Sequence, residues 1–257
     1  MKVYSLNVRQ GEPRFLQAVQ ANYWFWQRGY EVVSFEREEL AAGRLDDDLR
    51  LEPEGLIVCA SVVVVQETLA RAGRPAPGWD DVPESLQQFL GREVASSTMG
   101  EIRNRANASP EGFQVHVKPS RRQKLFAGTI VQGFRDFIPL SGVPDDEPVT
   151  IQEVVRFASE WRAYVLRGRI VGVANYKGDP MQFPSAHVLQ QAVERFADAP
   201  IGYGIDWGVT DDGRTLLIEA NDGYALGNYG LRGSLYTALI ECRWRELMGL
   251  ADSGVGI

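Results

Sequence analysis

Hydrophobic and polar residues alternate with two different periods along this chain, and the change of period divides it. In the first third, short apolar runs are separated by longer stretches of helical period. Residues 2–7 read as a strand, and residues 13–28 as a helix on which Phe15, Val19, Tyr23 and Trp26 recur on one side. Gly29 closes that helix, and residues 30–35 form a second strand pattern. Residues 55–60 are a continuous apolar run bounded by Gly and Ser, the pattern of a strand buried on both faces of a parallel sheet. Residues 62–72 return to helical period, with Gln66, Glu67 and Arg71 on a polar side and Gly73 as the stop. Strands alternating with helices predict a small parallel sheet. Residues 73–78, with two prolines, read as a loop or linker.

From residue 113 the style changes to paired strands. The pattern predicts strands over 113–118, 128–136, 149–155, 160–166 and 170–176, with a basic segment at 119–124 between the first two. A helix follows over 186–197. Residues 203–209 and 215–221 form a hairpin around Asp212-Gly213, a two-residue turn signal. A last helix covers 232–248, with Leu235, Leu239, Cys242 and Leu247 as inward positions. The expected fold is an α/β N-terminal subdomain over residues 1–92, followed by an α+β domain over residues 93–257. No internal repeat is visible.

Composition narrows the function classes. The 257 residues are 44% hydrophobic and 24% charged, the balance of a folded protein, with a formal net charge of −7. No basic excess exists to displace counterions, so nucleic acid and anionic membranes are poor partners. The longest apolar stretch, 55–65, is too short to span a bilayer, and residues 1–6 lack a signal-peptide core, so a cytoplasmic location is expected. Cys59 and Cys242 are too few for a disulfide framework, both stand in apolar surroundings, and two histidines rule out a multi-histidine metal centre. His116 alternates with Lys118 on its strand and is given no role.

The hairpin carries the sharpest candidate chemistry. Pairing outward from Asp212-Gly213 sets Asp206 opposite Glu219, with Asn221 two residues beyond on the same face. Trp207 with Ile218 and Val209 with Leu216 would then lie on the core face. Opposed carboxylates repel unless something positive lies between them. Two carboxylates and an amide offer hard oxygen ligands, the set that suits Mg²⁺. The alternative is a solvated polar face, and calcium is a weaker rival because its Asp-X-Asp-X-Asp-Gly loop is absent. Upstream, Lys118 ends a strand and Lys124 lies in the cationic loop that follows. Such lysines meet phosphate as point charges or simply solvate a surface. Glu153 and Glu160 stand seven residues apart and are ordinary acids taken alone.

Taken together and in order, these pieces resemble the ATP-grasp superfamily, and within it the R2K clade. They are Lys118-Pro119-Ser120 with residues 124–128, Gln152-Glu153-Val154-Val155, and Ser159-Glu160-Trp161-Arg162. Ile205-Asp206 follows, then Glu219-Ala220-Asn221-Asp222-Gly223 and Gly227-Asn228-Tyr229-Gly230. The resemblance covers roughly residues 79–248. It implies ATP held between two antiparallel sheets, with Lys118 and Lys124 toward the phosphates and Glu153, Val154 and Val155 as the adenine hinge. Glu160 would take the ribose, and Asp206, Glu219 and Asn221 the magnesium. Many family ligases carry an arginine two residues before the first metal-binding acid, where this chain has Gly204. Arg162, which shares a strand face with Glu160, is the candidate to take over its work, with Lys177 and then Arg232 behind it. A salt bridge to a neighbouring carboxylate is the other reading of Arg162.

The expected function is an ATP-dependent, ADP-forming carboxylate–amine (or thiol) ligase that passes through an acyl phosphate, with ATP and Mg²⁺ as cofactors. Its substrates would be small-molecule or peptide carboxylates and amines. The alternatives are a phosphotransferase and a nucleotide-binding module without turnover.

Overall fold

The computed structural model describes residues 1–6, 16–78, 80–109, 111–120 and 125–255, and the backbone alone for residues 6 and 16–19. The chain forms two compact units, Met1–Phe89 with Phe157–Ile257, and Leu90–Arg156. Among the described residues no helix is long and apolar enough to cross a membrane.

The first unit begins with β1 (Lys2–Leu6), α1 (Leu16–Gln27) and β2 (Glu31–Phe35), then α2 (Arg37–Ala41), α3 (Asp46–Leu51), β3 (Leu56–Cys59) and α4 (Val62–Arg71). The three strands make the expected parallel sheet, in the order β2-β1-β3. Every side chain of β3 is buried, as the unbroken apolar run requires. The face assigned to α1 is corrected: Tyr23 and Trp26 are 55% and 62% exposed, whereas Ala21 and Phe25 are buried. Both exposed rings carry a polar edge that water can satisfy, and their helical spacing marked the outer side. Phe15, Val19 and the expected helix start lie outside the described residues or side chains.

The second unit holds β4 (Val94–Thr98), α5 (Met99–Ala108), β5 (Val115–Pro119), β6 (Thr129–Val131) and β7 (Pro148–Gln152). Its sheet runs β4-β7-β5-β6 with antiparallel pairs throughout. The strand pattern at 128–136 is cut short. The Asp136 carboxylate accepts from the N–H groups of Gln132 and Gly133, at 2.8 and 3.1 Å, and opens a 3-10 turn over Phe134–Leu140. Met99, Ile102, Val117, Val131, Phe137 and Val149 form this unit's core.

Returning to the first unit, the chain adds β8 (Phe157–Leu166), β9 (Arg169–Gly178), α6 (Ala186–Arg195), β10 (Gly202–Thr210), β11 (Thr215–Asp222) and α7 (Gly233–Leu247). The strands form an antiparallel sheet, β11-β10-β8-β9. Every residue from Tyr236 to Trp244 is buried, because α7 packs against α1, β3 and β10 alike. The α1–α7 approach depends on Gly233, where an added Cβ would fall 1.9 Å from the Trp24 indole. The β8–β9 turn puts Arg167 at a φ of 50°, uncommon for a non-glycine residue. Its guanidinium bonds Asp252 at 2.5 and 2.6 Å and the Val255 carbonyl at 2.9 Å.

Candidate active site

The hairpin β10–β11 delivers the expected acids by a different turn. Three residues, 211–213, close it: Thr210 N–H donates to the Arg214 carbonyl at 3.0 Å, and Gly213 adopts a φ of 84°. A β-bulge between Asp206 and Trp207 absorbs the extra residue, so Trp207 faces Leu217 and Val209 faces Thr215, not Ile218 and Leu216. Beyond the bulge the expected register holds, and Asp206 lies opposite Glu219. On its other side Asp206 faces Arg162 of β8. The middle strand thus carries an acid flanked by a second acid and a cation.

Arg162 grips Asp206 with two parallel bonds, Nε to Oδ1 and Nη2 to Oδ2, both 2.7 Å. The pair is buried, at 6% and 4% exposure. Asn221 donates its amide N–H₂ to Asp206 Oδ2 at 3.3 Å and to Glu219 Oε1 at 3.2 Å. Ionised carboxylates only accept, so the amide must turn its nitrogen toward them. The repulsion of two facing carboxylates is therefore relieved by a guanidinium and an amide. Burial favours the neutral acid and raises the Asp206 pKa, while the guanidinium pulls in the opposite direction. Burial also opposes the charge on Arg162, but Asp206 outweighs it and keeps the arginine ionised. The sequence alternative of a salt bridge is thus what Arg162 makes.

Gly204 explains how the arginine fits. A Cβ at this position would lie 3.3 Å from Arg162 Cδ and 3.1 Å from a Leu226 methyl, so the Arg162 stem runs through the space a side chain at 204 would need. The guanidinium is covered by the ring of Tyr229, 4.9 Å from its Cζ, and that ring stacks on Tyr176 at 4.8 Å. Tyr164 fastens the covering loop, donating its hydroxyl to the Gly227 carbonyl at 2.7 Å and accepting from the Tyr229 N–H at 2.9 Å. Burial, with Asp206 and Glu160 nearby, raises the Tyr176 phenol. The three tyrosines were missed as site residues. Gly227-Asn228-Tyr229-Gly230 was their one visible signal, and it gave no hint of the arginine beneath.

The remaining candidates fall where their strands put them. Glu160 and Lys177 are cross-strand partners on β8 and β9 and form a salt bridge, with the lysine 69% exposed. Arg232 is exposed at the residue preceding α7. In the second unit, Lys118 is buried on β5 opposite Thr150 of β7. His116, on the same strand, has its pKa lowered by burial and then by Lys118 and Arg92, which keeps it neutral. Glu153 follows β7 in an exposed segment, its N–H bonded to the Glu93 carbonyl at 3.0 Å, and Val154 and Val155 are half-buried. Lys124 lies outside the described residues. Cys59 and Cys242 are buried free thiols, each pushed up to about 12 by burial. Among the described residues no three His, Cys, Asp or Glu side chains gather as a metal cluster, and the oxygen donors at this point of the sheet are the Asp206 and Glu219 carboxylates and the Asn221 amide. That all-oxygen donor set fits Mg²⁺.

Solved structures identify the fold. The fold is that of an ATP-grasp protein. A RimK-domain ATP-grasp protein from Sphaerobacter thermophilus is 18% identical with a TM-score of 0.57, over 94% of this chain and 98% of that one. D-alanine–D-alanine ligase from Bacillus anthracis is 15% identical, TM-score 0.53, over 96% and 94%. N5-carboxyaminoimidazole synthetase from Staphylococcus aureus is 8% identical, TM-score 0.53, over 97% and 77%. No curated protein sequence gives a significant match. Residues 89–239, more than half of the chain, match the model of the ATP-grasp domain, R2K clade family 2, and the chain belongs to that family.

Proposed function

We propose that this protein is an ATP-dependent ligase that activates a carboxylate as an acyl phosphate and transfers the acyl group to an amine or thiol, releasing ADP and phosphate. The observation that carries the reading is the run Glu219–Asp206–Arg162 across three neighbouring strands, with Asn221 beside it, in a chain of the ATP-grasp family. Two proteins of similar fold are a ligase and a synthetase, and the former was solved with ATP.

Lys118, with Lys124, meets phosphate oxygens as a compact charge. Glu153, Val154 and Val155 form the adenine hinge, and Glu160 accepts from ribose hydroxyls. Magnesium would be held at Glu219 and Asn221, with Asn221 rotating its amide to present oxygen, and Asp206, the third residue of the acidic set, lies beside them in the grip of Arg162. MgATP supplies the phosphoryl group that makes the carboxylate reactive. Preorganised cations stabilise the charge that develops, and Arg162 presents a fixed, dry guanidinium for this purpose. Lys177 is held by Glu160 and is released when Glu160 takes another partner; Arg232 is the third cation.

The test is incubation of the protein with ATP, Mg²⁺ and a mixed pool of carboxylates and amines, followed by mass spectrometry and phosphate assay. Acceptor-dependent release of ADP and phosphate is expected. A stable phosphorylated product would make the protein a phosphotransferase, and calorimetric ATP binding without turnover would make it a binding module.

A further inference from the structure

Resting on the nucleotide reading above, we propose that Arg162 takes the place a second divalent cation would occupy beside Asp206, so that the nucleotide-bound protein holds a single metal ion, on Glu219 and Asn221. The geometry of the guanidinium carries this. Both oxygens of Asp206 are taken by its fork at 2.7 Å, in a pair that is almost wholly buried. For Asp206 to serve a metal, Arg162 would have to retreat, and its surroundings oppose that. Its stem lies against the Gly204 backbone position, and its head lies under the Tyr229 ring. That ring is carried by a loop which Tyr164 pins at Gly227 and Tyr229 and which Tyr236 pins at the Leu226 carbonyl, 2.6 Å from its hydroxyl.

The charge count agrees. Asp206 and Glu219 bring two negative charges, and Arg162 cancels one of them within the protein. One divalent ion completes the site, with nucleotide phosphates as its remaining ligands. A second divalent ion would have only the Glu219 carboxylate to share with the first, because Asp206 already serves the guanidinium. A fixed guanidinium also differs from an ion in kind, because it neither dissociates with the nucleotide nor varies with metal supply.

Mn²⁺ is the probe. The wild-type protein is saturated with a non-hydrolysable ATP analogue and titrated with Mn²⁺, and bound ions are counted by electron paramagnetic resonance. One Mn²⁺ per chain is expected, without the spin coupling of two ions about 3.5–4 Å apart. Arg162→Gln, which keeps a hydrogen-bond donor but frees Asp206 of the cation, should admit a second, coupled Mn²⁺. Two coupled ions in the wild type overturn the inference, and so does a single ion in both proteins, which would remove Arg162 as the cause. If the variant fails to fold, the wild-type count decides alone. Separate calorimetry of the analogue identifies failure at the earlier step: absence of nucleotide binding would overturn the ATP reading and this inference with it.

Discussion

Replacing Arg162 with Met keeps much of the stem's apolar volume and strands the Asp206 carboxylate at 4% exposure without its guanidinium. Removing one partner of a buried ion pair costs about 3–5 kcal/mol. The Asn221 amide stays beside Asp206, which places the expected loss toward the lower end, about 3 kcal/mol. At about 2–4 °C per kcal/mol for a protein of this size, the melting temperature should fall by roughly 6–12 °C. Removing the acid as well, in Arg162→Met with Asp206→Leu, leaves no stranded charge and should recover most of the loss, because an apolar replacement of a buried pair is often neutral. The loss should also depend on pH. Burial raises the Asp206 pKa in the fold above its unfolded value, and without Arg162 nothing of comparable strength opposes that rise. A carboxyl raised in this way lowers stability as pH climbs through its folded pKa, so the deficit of the single variant should shrink on acidification. Urea and thermal denaturation between pH 4 and 8, with EDTA and no nucleotide, measure all three effects. A single variant within about 1 kcal/mol of wild type, or a double variant no better than the single, would refute the buried-pair account.

Glu219→Gln keeps the shape and removes a charge that the magnesium site needs. ADP formation should fall on the order of a hundredfold or more, with the melting temperature little changed. Lys118→Met should weaken ATP binding by about 1.5–3 kcal/mol, the worth of a charged hydrogen bond, as read by isothermal calorimetry. Asp252 is held down to about 2 by its bonds to Arg167, so its contribution is present above the ordinary aspartate range and is lost as pH falls toward 2. The melting-temperature difference between wild type and Asp252→Asn should therefore be largest near neutrality and close on acidification through that window.

What the sequence revealed and what it concealed follow from the reach of each signal. The opposition of Asp206 to Glu219 was readable because strand alternation has a fixed period of two. The bulge beside it was not, since it arises from a three-residue turn that Asp212-Gly213 imitates. β4 went unseen because Val-Ala-Ser-Ser-Thr is mostly polar or small and its side chains are exposed or half-buried. The helix after it, α5, buries only Met99, Ile102 and Ala106, too thin a stripe to register. Its start was nonetheless written in the chain as the capping box of Thr98 and Glu101. The partner of Arg162 could be narrowed to a carboxylate, but the choice of Asp206 needed the strand order β10-β8, which pairs segments more than forty residues apart.

The two compact units are not consecutive in the chain, and this bears on the order in which they are made. All of Leu90–Arg156 is synthesised before β8, so its antiparallel sheet and core can close without waiting for the rest of the first unit. The first unit has no such freedom. The core around Val3, Phe25 and Ile57 includes Tyr164, Leu239, Ile240 and Trp244, residues that emerge last. Its N-terminal strands, with α1 and α4 against them, must therefore wait with their core incomplete through the synthesis of an entire intervening unit. For a nascent chain this is the interval of greatest exposure to misassociation, and it ends only when α7 arrives.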